Sequence, residues 1–418
     1  MIEIARKEDC VGCEACIQRC PTDCIQIYKD SEGFIYPKVD VRRCIDCHVC
    51  EKVCPVIEKK PLNAAYKPVD VLAAKNPDDS ERKRSSSGGV FIMLAKRVIA
   101  DNGIVFGARF NTNWEVEHSY TDSEEGLSQF MGSKYLQSRI GNAFSDVERF
   151  LKEGRKVMFT GTPCQIAGLK LFLRKDYGDK LLTVDVICHG VPSPMVWADY
   201  LSSLGPDNNK RSNSEIKVDE YWENRVLSVS FRDKSVSWQT FGLRIKFKHP
   251  HGQSDKIPND GSEDFFEKLN CNKYLRGFLS DTFLRPSCYE CPVKNFKSES
   301  DITIGDYWGI NSIHPEFADS DGVSVVICNT EYGSNIIKSL GMLLHKSDLN
   351  AAIRSNPALI SSARRSKYTE WFWQNYKADR ILALDKLIIK LKPKLYVRIG
   401  RKLKNMVRRL YNLITPKN

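Results

Sequence analysis

No stretch of the 418-residue chain is apolar for long enough to cross a bilayer as a helix, so a membrane span is not expected. The amino end lacks the basic, apolar and small-residue succession of a secretory leader. A disulfide framework of the kind found in small secreted chains is therefore not the expectation either. Fifteen cysteines without such a leader point to a reducing compartment, where thiolates stay free for metal. Net charge is missing too over most of the chain. Residues 380–418 hold twelve Lys or Arg and one acid, Asp385, and so carry the whole formal +11. A chain balanced near zero elsewhere does not read as a nucleic-acid binder. No general acid or base stands out; His189 is the single weak catalytic candidate. A lone histidine there is more often a structural hydrogen-bonding group. The expectation is a cytoplasmic protein, peripheral at most on the inner face of a membrane.

What is present in abundance is ordered cysteine. Cys10, Cys13, Cys16 and Cys20 precede Pro21, and Cys44, Cys47, Cys50 and Cys54 precede Pro55. This is C-x2-C-x2-C-x3-C-P written twice, the spacing of bacterial two-cluster ferredoxins. Two residues between cysteines let one short loop aim three thiolates at three corners of a cubane. The last cysteine of each run crosses to the other cluster. Cys10, Cys13, Cys16 and Cys54 are thus assigned to one [4Fe-4S] cluster, and Cys44, Cys47, Cys50 and Cys20 to a second. Zinc modules use similar pairs, but with longer central gaps and often histidine. Cys24 has no place in the pattern and reads as a packing thiol, as do Cys271 and Cys328.

The fold class expected is an α+β ferredoxin-like cluster module at 1–58, then an α/β domain with a partly parallel mixed sheet at 69–330, and a C-terminal helical tail. The α/β domain divides near residue 150 into parts at 69–150 and 151–330. A Pro-bearing linker is read at 59–68 and a solvated charge run at 78–84. Helical periodicity covers 90–100. Strand, helix, strand and helix follow at 156–159, 163–173, 181–187 and 195–204, which implies a parallel strand pair. Segments 226–232 and 240–248 alternate like antiparallel strands, and 251–261 reads as a loop. Residues 331–379 are taken as a helical extension, with an aromatic-rich helix at 368–376.

Four further cysteines fall where a third site can assemble. Cys164 opens a helix after one strand of the parallel pair, and Cys188 follows the other. Both then emerge at the carboxyl edge of the sheet, where open α/β folds bind ligands. Cys288 and Cys291 add a two-residue-spaced pair. Each taken singly is as readily a buried thiol.

The chain resembles the coenzyme F420 hydrogenase/dehydrogenase beta-subunit family with a fused amino-terminal ferredoxin domain. The likeness is carried by Ser86-Ser-Gly-Gly89, Gly132-Ser-Lys-Tyr135 with Ser138, Gly161-Thr-Pro-Cys-Gln165, Cys188-His-Gly-Val-Pro-Ser193, Arg285-Pro-Ser-Cys288 with Cys291, and Asp301-Ile-Thr-Ile-Gly-Asp-Tyr-Trp308. The resemblance implies a third [4Fe-4S] cluster on Cys164, Cys188, Cys288 and Cys291, and a flavin, usually FAD, beside it. It suggests flavin contacts from Ser86, Ser87, Gly88, Gly89, Ser133, Lys134, Tyr135, Ser138, Thr160, Gly161, Thr162 and Pro163. The plain readings are an N-cap for the serine–glycine turn, a surface lysine for Lys134 and a core aromatic for Tyr135. The implied function is an iron-sulfur flavoprotein oxidoreductase passing electrons between clusters and an organic hydride donor or acceptor, a deazaflavin or a related substrate. The alternatives are a ferredoxin-dependent reductase of another substrate, with polysaccharide biosynthesis one setting, and a non-catalytic electron-transfer subunit of a membrane-associated complex.

The basic tail adds one partner. Leu395, Ile399, Leu403, Met406, Leu410, Leu413 and Ile414 share a helical face, with Arg398, Arg401, Lys404, Arg408 and Arg409 opposite or flanking. Such a strip fits the plane of an anionic membrane surface, or packs on the domain with its charges solvated.

Overall fold

The computed structural model describes residues 1–58, 67–204, 225–248 and 262–392. The expected linker up to Tyr66, the loop at 251–261 and the tail beyond Lys392 lie outside these. The doubled cysteine motif folds as two copies of one backbone. In each, the residue before and the residue after the second cysteine turn left-handed: Gly12 and Glu14 around Cys13, Asp46 and His48 around Cys47. Left-handed turns wrap the chain tightly enough for neighbouring thiols to face one centre, and only Gly12 takes one without steric cost. Between the copies runs an antiparallel hairpin of β1 (Ile25–Lys29) and β2 (Ile35–Val39), registered Tyr28 to Tyr36. Asp30 sets its turn, accepting backbone N–H bonds from Glu32 and Phe34 through Oδ1.

The larger domain is built on β3 (Asp70–Lys75), β4 (Ile104–Phe110), β5 (Val116–Thr121), β6 (Val157–Gly161) and β7 (Leu181–Val186). A separate three-stranded antiparallel sheet comprises β8 (Val226–Asp233), β9 (Gly242–Lys248) and β10 (Ser262–Lys268). The chain then returns to the main sheet with β11 (Ile302–Asp306), β12 (Ser324–Cys328) and β13 (Leu343–Lys346). The eight-stranded order is β13-β3-β12-β11-β7-β6-β4-β5. The centre β11-β7-β6-β4 is parallel, with antiparallel partners towards both edges. The sheet is mixed, as the sequence implied. Its central strands read Val157-Met-Phe159 and Leu181-Leu-Thr-Val184, apolar on both faces because both faces are covered. Helix Val90–Ala100 packs on one face with Leu72, Val105, Met158 and Leu182. Helices Ala143–Lys152 and Pro163–Leu173 cover the other with Phe106 and Phe159, and the cluster module joins that same core through Val11, Ala15 and Val53.

Three expectations change. The charge run at 78–84 is a helix, Asp79–Arg84, capped by Asp78, with Glu81 and Arg82 buried. Burial is tolerated because Asn76 Nδ2 donates to Glu81 at 2.9 Å and Arg82 donates to the Asn76 carbonyl at 2.9 Å. Residues 331–379 are not helical throughout, since β13 completes one edge of the main sheet. Cys271 does not pack: it is exposed, whereas Cys24 and Cys328 are buried. The aromatic helix Thr369–Ala378 joins the core around Tyr274 and Phe283 through Phe372, Trp373 and Tyr376. No helix among the described residues is long and apolar enough to cross a membrane.

Candidate redox centres

Cys10, Cys13, Cys16 and Cys54 line one cavity of the cluster module. Cys20, Cys44, Cys47 and Cys50 line another, joined by Cys24, whose sulfur stands 3.4 Å from that of Cys20. Each cavity thus gathers three cysteines of one run and the last cysteine of the other. Burial pushes the Cys13, Cys16 and Cys54 thiols above their ordinary range, and their neighbours' thiolates push them further. Four thiolates gathered this closely need a cationic core to be ionised together, and iron supplies one.

The third group lies at the carboxyl edge of β6 and β7. Thr162 caps helix Pro163–Leu173 reciprocally with Gln165, and this places Cys164 in the helix's first turn. Cys188 follows β7, while Cys288 and Cys291 come from the turn around Pro286–Glu290. Burial raises Cys164 to about 12, and Cys291 and Cys188 repel its ionised form. Cys288 is likewise raised by burial and by Cys188, Cys291 and Cys164, so the four form one electrostatic unit. Val191 N–H donates towards Cys288 Sγ at 3.4 Å. Lys294 Nζ donates to the Cys188 carbonyl at 2.5 Å, bringing a cation to the same place.

The first and third groups are joined by Arg285, which is fully buried. Its guanidinium donates to the Cys10 carbonyl at 2.7 Å, the Ile35 carbonyl at 2.8 Å and Gln137 Oε1 at 3.0 Å, and reaches Cys10 Sγ at 3.4 Å. Its own backbone lies three residues before Cys288. Gly168 brings the Cys164 helix against Cys13: a Cβ there would stand 3.0 Å from the Cys13 sulfur. Glu14 locks the module in place, accepting two bonds from Arg139 and one from the Ile140 amide. The second group faces outwards, with Cys47 and Ile45 exposed.

The candidate flavin contacts fall into two parts, one around Ser86 and Ser133 and one from Ser138 through Thr160 to Thr162, which touches Cys164. Ser86 Oγ accepts from the Ser133 amide at 2.7 Å and hydroxyl at 2.9 Å. Ser87 and Gly88 tie the serine–glycine turn to Val323 and Ser324 at the start of β12. Gly89 takes a left-handed φ of 82° where helix Val90–Ala100 begins. Lys134 is half-buried, with Nζ on the Met131 carbonyl at 3.0 Å and no carboxylate partner among the described residues. Desolvation lowers it to about 7. Tyr135 is within hydrogen-bonding reach of Arg232 and Ser133, and its ring packs on Phe231 and Phe278. Ser138 Oγ lies 2.7 Å from His118 Nδ1, and His118 Nε2 lies 2.9 Å from the Thr160 carbonyl. Desolvation holds His118 down at about 4, a neutral ring stacked on Phe159. Gly161, Thr162 and Pro163 lead directly into Cys164, whose sulfur is 3.1 Å from Thr162 Oγ1.

Sequence reasoning gave no role to His118, Arg232, Asp306 or Arg285. Arg285 and Asp306 lie inside the family-like motifs, and that was their only signal. Arg232 pairs with Asp306 and donates to the Ser86 carbonyl, but nothing in its local sequence marks it. His189 is held by Asp281 at 2.5 Å, and Asp281 also accepts from the Arg364 amide. Asp281 thus fixes one ring nitrogen of His189, whose side chain is half-exposed.

Residues 154–344 match the carboxyl-terminal domain of the coenzyme F420 hydrogenase/dehydrogenase beta subunit, and residues 9–57 match the 4Fe-4S dicluster domain. The chain therefore carries a carboxyl-terminal domain of the beta-subunit type behind a 4Fe-4S dicluster domain. With these two domains it is an iron-sulfur, electron-transfer protein related to oxidoreductases. Among curated relatives, a 7Fe ferredoxin of Hydrogenibacillus schlegelii is 45% identical over 51 residues, covering 12% of this chain and 59% of the relative. Ferredoxin Fdx2 of Sorangium cellulosum is 32% identical over 90 residues, 19% of this chain and 84% of its own. A polyferredoxin-like protein of Methanocaldococcus jannaschii is 25% identical over 114 residues, 23% of this chain and 68% of its own. A solved chain of the F420-reducing [NiFe] hydrogenase complex from Methanosarcina barkeri aligns with a TM-score of 0.43 at 18% identity, covering 72% of this chain and 97% of that one.

Proposed function

We propose that this protein is a flavin-dependent iron-sulfur oxidoreductase. Twelve cysteines would hold three [4Fe-4S] clusters, and the Ser86–Gly89 turn, Ser133–Tyr135, Ser138 and the Thr160–Pro163 turn would hold an FAD. The observation that carries the reading is the convergence of Cys164, Cys188, Cys288 and Cys291 at the sheet edge, with Arg285 joining them to Cys10. The donor set is all sulfur, free of disulfides, and crowded enough to require a cationic core. Lys134 supports the flavin assignment, because a half-buried cation without a carboxylate suits a phosphate or an electron-rich ring. A bound flavin supplies the exchange between two-electron hydride chemistry and one-electron steps. The chain's own residues hold the centres in order, exclude water and set potentials through N–H donors near sulfur. His118 contributes a neutral ring fixed by Ser138 and Thr160.

The exposed Cys44–Cys47 side would be the face for a redox partner protein, and the first and third cysteine groups, joined by Arg285, would hold the clusters between it and the flavin. The substrate at that end is a deazaflavin or another organic hydride carrier. Anaerobic purification with iron, sulfide and flavin analysis tests this. About twelve irons per chain are expected, since a cubane holds four irons, together with one flavin. Cys164→Ala is expected to lose about four of them, and Lys134→Met to lose flavin while keeping iron. A colourless protein, or iron near eight with no flavin, would overturn the proposal. Turnover of reduced deazaflavin against reduced ferredoxin then separates the two donor classes.

A further inference from the structure

At the β13 edge of the main sheet, three side chains converge apart from the twelve cysteines of the redox centres. His314 and Glu316 lie on the turn after helix Ile310–Ile313, and His345 lies on the edge strand β13. His314 Nδ1 stands 3.7 Å from Glu316 Oε1, and His345 Nε2 stands 3.3 Å from that same oxygen. The two imidazole centroids are 4.4 Å apart, and one donor atom from each of the three groups lies within 4.8 Å of the others. We infer that His314, Glu316 and His345 form a divalent transition-metal site, with zinc its first occupant, clipping β13 to the turn that follows β11.

The spacing of these pairs is also one that a single ion bridges. Donors 2.0–2.1 Å from a tetrahedral ion stand about 3.3–3.4 Å apart, close to the two separations here. A simple ion pair needs one imidazole per carboxylate, yet here two rings address one oxygen. The far side of His314 is fixed as a metal-bound histidine requires: Nε2 is 2.9 Å from Ser347 Oγ, and Tyr307 OH bonds that same hydroxyl. With Nε2–H donating to Ser347, Nδ1 keeps its lone pair for the ion. Phe317 covers the His345 ring at 5.5 Å between centroids and narrows the approach. Two neutral imidazoles and one carboxylate suit zinc better than magnesium or calcium, which prefer all-oxygen shells. Three protein ligands leave the fourth position for water.

The test uses the full-length, cluster-loaded chain passed through a desalting column after incubation with zinc sulfate. Zinc is counted by mass spectrometry, and its shell is read by X-ray absorption. The expected result is about one zinc per chain with nitrogen and oxygen at 2.0–2.2 Å. Glu316→Gln and His345→Asn should each lower retained zinc at least fivefold with iron unchanged. Glu316 is largely exposed, so its variant folds even where His345→Asn does not. Zinc should also raise the thermal midpoint of the parent and not of Glu316→Gln. No retained zinc, equal zinc in parent and Glu316→Gln, or a shell of sulfur at 2.3 Å, the distance of zinc in a cysteine site, would each overturn the inference.

Discussion

Arg285 offers the sharpest perturbation. It is a fully buried cation whose partners are two carbonyls, the Gln137 amide and the Cys10 sulfur, with no carboxylate among the described residues. A buried guanidinium without an anion is costly, and on the proposed reading its counter-charge would be the thiolate-ligated cluster held by Cys10. Reducing that cluster adds one negative charge beside the cation. Taking ~6 Å between charge centres and an effective dielectric of about 20, the Coulomb energy is about 3 kcal/mol. For a one-electron couple this is about 120 mV. Arg285→Gln should therefore lower the midpoint potential of the first cluster by roughly 100 mV. Arg285→Lys keeps the charge and should shift it by less than half as much. Both are read by EPR-monitored redox titration under anaerobic conditions. The second cluster, whose ligands do not touch Arg285, serves as an internal reference. Equal potentials in parent and Arg285→Gln, with iron content retained, would refute the argument, as would parallel shifts of both clusters.

Other outcomes follow from the same geometry. Lys134 sits near 7 because it is desolvated without an anion. A bound flavin phosphate or ring should raise it, so FAD binding at pH 8 should take up a proton, seen as a dependence of calorimetric heat on buffer ionisation, and Lys134→Met should abolish that uptake. His118 is held near 4, below the ordinary 6.5 of an unfolded histidine. The unfolded chain therefore binds the extra proton first, and stability present above pH 6.5 is lost as pH falls towards 4, by up to about 3 kcal/mol. His118→Gln should flatten that part of a thermal-midpoint profile against pH. Gly88 has no room for a side chain, since a Cβ would meet the Ala74 carbonyl and stand 2.7 Å from the Ser324 nitrogen. Gly88→Ala should cost about 1–3 kcal/mol, read as a lower thermal midpoint, and weaken flavin retention with iron content unchanged.

Much of this site was legible before any fold was known, and the reason is covalent. Ligands of one cubane loop are neighbours in sequence, so C-x2-C-x2-C writes the geometry directly into the spacing. The strand–helix–strand rhythm at 156–187 is equally local, and it sets Cys164 and Cys188 at one sheet edge because parallel strands end on the same side. The charge run at 78–84 misled, since burial of Glu81 and Arg82 depends on Asn76 and Lys96, which no local pattern of polarity reveals.

What only the tertiary structure decided is held by bonds between distant residues. Arg285 meets Cys10 across 275 positions, Arg232 meets Asp306 across 74, and Gly168 seats the third group's helix against Cys13. The same is true of His345 against Glu316. Spacing alone gives the kind of ligand each loop presents. The joining of the cysteine groups, the charges beside them and the convergence of His314, Glu316 and His345 at β13 arise from packing of the whole sheet, because electrostatics act through space and not along the chain.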